Sequence, residues 1–311
     1  MQQSSTAATS PMCDYTQFSK LFVERDECLL LVRQVNQLIK AVQRHRGTSM
    51  GLLAGNSQFR EEFELLQHGL ERRLATLEAF AARNSFLSER DKENLSMAWK
   101  TIRSNWEEDQ LKDNFELHSH FIEQLLVMVY GLAKPLEVPL IMPTAKVEGA
   151  LIGNRAFSKE RTLLQIEVLN FSTKALPEKI EQVAKIRGMA TYAAASLSLD
   201  GVDGRKLRFL LSSSREQNDR IQQQAEKLQS QLGDALPGFY RIKQNELQLL
   251  QFLNTVESTI FMGKRDRDSA QTMFNMASDI IDVYWDVVSD GLGLIDQWHR
   301  DDLEAWVGLS S

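Results

Sequence analysis

Cysteine is almost missing from this chain, with only Cys13 and Cys28 among 311 residues. The two make no CxxC pair, so no redox or zinc motif of that kind arises. Cys28 lies on an apolar helical face, which predicts a reduced, buried thiol. Proline and glycine are also scarce, at six and sixteen. With Leu, Gln, Glu, Ala and Ser abundant, that scarcity favours helices over strands. No stretch approaches the roughly 20 apolar residues of a membrane-spanning helix. The segment Met1–Pro11 lacks a basic region followed by an apolar one, so it does not resemble a signal peptide. A cytoplasmic protein with no membrane partner is expected. No window gathers a basic patch, and the net charge is −6, which argues against direct binding of nucleic acid. HExxH, EF-hand and glycine-rich phosphate motifs are absent. His118 and His120 are two residues apart, so on a helix they point about 200° away from each other and cannot share a metal. Neither a metal nor a cofactor is expected, and nothing points to a catalytic site.

What is present is helical periodicity along nearly the whole chain. A disordered tail is expected over 1–16. A first bundle over 17–134 should hold four helices: about 17–54, a second from Asn56 or Ser57 to about 84, a third capped by Ser88, and a fourth over about 113–133. Pro135, Pro139 and Pro143 punctuate an apolar linker over 135–157. A second bundle over 158–311 should hold a helix broken or kinked before Pro177, a piece over 178–199 and helices at about 205–232, 238–261 and 267–307. Turns are expected at Asp200-Gly201 and Asp203-Gly204, and an interruption of the last helix near Gly291-Leu292-Gly293. The expected architecture is all-α: two antiparallel bundles of about eight helices, together one module.

The most informative residues are two arginines. The apolar seam of the first helix runs Val32, Val35, Ile39, Val42, Arg46, Ser49, Leu53. In the second half it runs Ile180, Val183, Arg187, Ala190, Ala194, Leu197. Each arginine takes a core position, and each is followed by a glycine, Gly47 and Gly188, that lets a backbone or ligand come close. A buried guanidinium keeps its proton and must find an anion. The usual partner is a carboxylate three or four residues away, and neither arginine has one. No Asp or Glu occurs from Cys28 through Arg60, or from Gln182 through Leu199. One solution is an external oxyanion clamped between the two planar guanidinium forks. Thr48, Ser49, Thr191 and the backbone near the glycines would complete its shell. The other is that each arginine reaches water or an acid on another helix; Arg25, beside Glu24 and Asp26, also falls on the extended seam.

Gln43-Arg44-His45-Arg46-Gly47-Thr48-Ser49 resembles the Q-x-E-R-G-x-S signature of the NIT (nitrate- and nitrite-sensing) domain. Arg187-Gly188 resembles that family's second arginine signature. The resemblance implies an all-helical, two-bundle sensor, spanning about 17–300, that binds nitrate or nitrite through Arg46 and Arg187. His45 replaces the family's glutamate, so that acid's part is unfilled within the motif. Such domains usually precede an output module, such as an RNA-binding domain, a kinase or a receptor signalling region. Here Ser311 closes the chain with no such module in view, so a separate output protein or self-association is expected to carry the response. The alternative is a helical interaction module without a small ligand, and an enzyme on a helical scaffold ranks below both.

Overall fold

The computed structural model describes residues 15–82, 86–138, 140, 151–152, 155–156, 159–196, 201–263 and 267–310. Nearly all of these are helical. In chain order the helices are α1 (Tyr15–Leu53), α2 (Arg60–Ala81), α3 (Glu89–Arg103), α4 (Leu111–Ala133), α5 (Lys159–Asn170), α6 (Leu176–Ala195), α7 (Gly201–Leu232), α8 (Gly238–Phe261) and α9 (Arg267–Ser310). None of them is long and apolar enough to cross a membrane.

Side-chain caps set several boundaries. The Asn56 side chain accepts the Gln58 N–H and opens a short 3-10 turn (Ser57–Phe59) that leads into α2. Ser88 and Asp91 form a reciprocal capping box at the start of α3. The break or kink expected before Pro177 takes the form of a π-helical turn over Phe171–Ala175, after which α6 begins with the proline in its first turn. The helix is continuous across this turn, with the Leu176 N–H donating five residues back to the Phe171 carbonyl, and Pro177 leaves one gap in the ladder because it has no N–H.

Three expectations are corrected. Tyr15 and Thr16 belong to α1, so the tail of 1–16 is two residues too long; the rest of it, like Cys13, lies outside the described residues. Gly201, Asp203 and Gly204 form the first turn of α7 instead of a loop, and Asp200 is not described. The last helix runs unbroken through Gly291 and Gly293. Gly291 marks a close approach: a Cβ there would run into the Ser172 side chain of the π turn. The expected linker region 135–157 includes a two-residue antiparallel pair, β1 (Leu151–Ile152) with β2 (Arg155–Ala156). Its beginning is pinned to the body, since Leu136 is buried and the Leu140 N–H donates to the Asp302 carboxylate at 3.1 Å.

One apolar cluster runs through both halves, from Cys28, Val32, Val35 and Ile39 on α1 to Ile180, Val183 and Ile186 on α6 and Ile280, Tyr284 and Val288 on α9. Helix α1 packs on α2 and α4 in the first half, and on α6 and α9 in the second. The two groups of helices therefore share a core along the α1–α6 contact. Cys28 is buried and unpaired, and burial raises its thiol to about 11.

Candidate functional site

Arg46 and Arg187 are among the largest fully buried side chains, 0% and 1% exposed. Both sit where α1 and α6 pack together, and the glycines that follow them account for the close contact. A Cβ on Gly47 would lie 2.8 Å from Phe274 Cε2 and 3.2 Å from Arg187 Nε; one on Gly188 would lie 2.8 Å from Met50 Sδ and 4.0 Å from Phe115 Cε2. Each glycine thus makes room for the other half of the molecule.

The two arginines are held by matching cassettes. Arg46 Nη1 donates to Ser119 Oγ (2.9 Å) on α4, and Ser119 donates to the Phe115 carbonyl four residues back (2.7 Å). The Arg46 guanidinium lies 5.2 Å from the centre of the Phe115 ring. Arg187 Nη1 donates to Ser278 Oγ (2.9 Å) on α9, and Ser278 donates to the Phe274 carbonyl (2.7 Å). The Arg187 guanidinium lies 4.9 Å from the Phe274 ring centre. In both cases a helical Phe-x-x-x-Ser supplies an aromatic floor and a hydroxyl acceptor. Phe115, Ser119, Phe274 and Ser278 were not singled out in the sequence. The repeated Phe-x-x-x-Ser on the fourth and last helices is the signal that would have found them.

The cassettes differ on their remaining edges. Arg46 makes a two-pronged ion pair with Glu181 on α6, Nη1 to Oε1 at 2.7 Å and Nη2 to Oε2 at 3.1 Å. For Arg46 this is the alternative left open above, an acid on another helix. Glu181 sits one residue before the acid-free stretch 182–199, on a helix whose packing against α1 local spacing does not reveal. Gln43 Nε2 also donates to Glu181 Oε2 (3.0 Å). Arg187 has no carboxylate among its hydrogen-bond or ion-pair partners in the described residues. Its second donor, Nη2, goes to the Gln43 carbonyl at 2.7 Å. Burial first, and then the Arg44 and Arg46 charges, pushes its pKa down to about 9.

Of the two buried guanidinium groups only Arg46 therefore meets a carboxylate, and several polar atoms stay unpartnered among the described residues. These are both arginine Nε atoms, Thr191 Oγ1 and Gln43 Oε1. A buried donor without an acceptor costs about 1–3 kcal/mol, and the two arginine Nε groups are such donors, whereas Gln43 Oε1 is an acceptor without a donor. Of the supporting residues expected, Thr191 carries a free hydroxyl. Thr48 and Ser49 are committed elsewhere: Thr48 to the His45 carbonyl (3.0 Å), Ser49 to the Arg46 carbonyl (2.9 Å) and to Asn114 Oδ1 (2.8 Å). The three largest cavities described, about 710, 470 and 450 Å³, are lined by neither arginine.

His45 makes no bond to the arginines. Its Nδ1 lies 2.8 Å from His118 Nε2, and His118 Nδ1 lies 2.7 Å from the Asn114 carbonyl. With both rings neutral, His118 donates to Asn114 and accepts from His45, which leaves His45 Nε2 a buried lone pair without a partner. Phe63 and Trp99 pack on the His45 ring. Burial drives His118 down to about 3, opposed by its bond to Asn114 and reinforced by the Arg46 charge. Burial, and then His118, holds His45 well below its ordinary value. No group of three or more His, Cys, Asp or Glu placed to hold a metal occurs among the described residues.

No family model, curated protein or solved structure matches this chain.

Proposed function

We propose that the chain is a sensor for a small planar oxyanion, nitrate or nitrite, bound through Arg46 and Arg187 where the two halves meet. The observation that carries this reading is the charge count at the α1–α6 contact: two fully buried guanidinium groups against one buried carboxylate, with both Nε donors unpartnered. A trigonal oxyanion accepts in the plane of a guanidinium fork, and it would supply the missing charge and acceptors together. The resemblance of 43–49 and 187–188 to the NIT signatures supports the same ligand class.

Binding would act on the packing of α1 against α6. Two like charges held close favour separation, and an anion between them favours approach. The ligand shifts the balance of two arrangements only by its differential affinity for them. The protein is read as a cytoplasmic regulator without catalysis. A separate output protein or self-association would receive the signal.

The test is thermal melting in millimolar nitrate, nitrite, chloride and sulfate. A ligand at about a hundred times its dissociation constant adds about 2.7 kcal/mol to the native state, which for this length raises Tm by a few degrees. Nitrate or nitrite should raise Tm and chloride should not. Arg187→Lys, which keeps the charge and loses the fork, should abolish the rise.

A second reading rests on the Arg46–Glu181 ion pair. If that pair and Arg187 only tie the helices together, the chain is an interaction module with no small ligand. No anion would then change its melting, and Arg46 substitutions would destabilise it equally with and without nitrate.

A further inference from the structure

The Arg46 cassette already contains a planar, two-oxygen anion. The Glu181 carboxylate meets the Arg46 fork with two parallel hydrogen bonds, the arrangement an external trigonal oxyanion would adopt. The matching cassette at Arg187 has the same ring, serine and following glycine, yet no carboxylate on its edge. We propose that Glu181 is a built-in competitor that occupies Arg46 in the absence of anion and sets how much nitrate or nitrite is needed to displace it. This inference rests on the sensor reading above.

Two observations give the displaced carboxylate somewhere to go. Glu181 Oε1 is 3.9 Å from Lys185 Nζ, one helical turn further along α6 and partly exposed, and Lys185 also bridges to Glu123 Oε1 at 3.0 Å on α4. A side-chain rotation would carry the Glu181 carboxylate from the buried fork towards this ammonium group at the edge of the bundle. Its charge would remain compensated, and Arg46 would be free for the incoming anion. A tethered group competes at high effective concentration, and a site free only part of the time binds with proportionally reduced affinity. Glu181 therefore tunes the threshold of the site, while Arg46 and Arg187 hold the ligand.

The test is titration of nitrate into the wild type, Glu181→Gln and Lys185→Met, followed by calorimetry and by Tm. Glu181→Gln removes the competing charge at nearly constant volume, so nitrate should bind about tenfold more tightly or better. Its Tm in nitrate-free buffer should fall, and nitrate should restore it. Lys185→Met, a change at the edge of the bundle that leaves the Arg46 pair intact, should weaken nitrate binding in the wild-type background. It should have no effect in the Glu181→Gln background, since the route it removes is then unused. If the wild type binds nitrate but Glu181→Gln binds no more tightly, the competitor role is overturned while the sensor reading stands. A Lys185→Met effect that is unchanged by Glu181→Gln overturns it too. If Glu181→Gln alone binds nitrate, the competitor role is upheld and the wild type is not a nitrate sensor. If neither protein responds to any anion, both readings fail. Should Glu181→Gln not fold, an unchanged or higher nitrate affinity in Lys185→Met overturns the competitor role by itself.

Discussion

At the scale of single residues, Arg46 and Arg187 look alike in sequence and differ in what their removal would do. Arg46 neutralises Glu181, which is nearly as buried as the arginine itself. Arg46→Met would leave that carboxylate without its main partner, a loss of about 3–5 kcal/mol for a broken buried pair. Arg187 neutralises no carboxylate. Arg187→Met would remove a desolvated cation, fill similar volume with apolar atoms, and forfeit hydrogen bonds to one serine and one carbonyl. In anion-free buffer it should cost about 1 kcal/mol or less. Chemical denaturation of the two variants should separate them by at least about 2 kcal/mol; equal losses would show that the two arginines carry the same burden. The seam positions of both arginines were legible from spacing alone. Glu181 was not, because a partner on another helix leaves no periodic trace along the chain.

At the scale of helices, the α1–α6 contact depends on two glycines whose surroundings differ in compliance. A methyl group on Gly47 would meet the Phe274 ring, itself fixed under Arg187. A methyl group on Gly188 would meet the Met50 sulfur, the end of a flexible side chain that can move aside. Gly47→Ala should destabilise the protein by about 1–3 kcal/mol, as overpacking does. Gly188→Ala should cost less, or even stabilise α6 through the better helix propensity of alanine. Urea melts of the two variants test the ordering, and a larger loss at Gly188 would place the rigid side of the contact at Met50. Element boundaries were mostly legible where a cap or proline marks them, as at Asn56, Ser88 and Pro177. They were misread at Asp203-Gly204 and at Gly291. Glycine signals a turn only when its backbone needs it, and Gly291 answers instead to the proximity of Ser172.

For the molecule as a whole, two neutral histidines are sealed beside a permanent cation. His118 titrates near 6.5 when unfolded and about 3 when folded, and His45 is shifted in the same direction. Groups with depressed folded values contribute fully above the unfolded value, and their contribution is lost as pH falls through the window between the two. Stability should therefore decline as pH drops from about 6.5 towards 3, by up to about 1.4 kcal/mol per pH unit for each histidine. Between pH 7 and pH 5, before most carboxylates titrate, Tm should fall more steeply for the wild type than for His118→Gln. Equal slopes would mean that these two rings do not govern acid sensitivity.

The sequence by itself determined that this chain is helical, where most helices begin and end, that no cysteine framework shapes it, and that two arginines fall on buried seams. Those are consequences of residue type and of a period of 3.6, both of which act locally. Only the tertiary structure decided that α1 and α6 meet at both Arg-Gly pairs, that each guanidinium rests on a Phe-x-x-x-Ser of another helix, and that Glu181 pairs with Arg46 and not with Arg187. Those facts depend on which helices touch and at what register. The shared core, more than any stretch of the chain, sets that register, because burying the apolar seams of α1, α6 and α9 together carries the polar groups on those seams into contact.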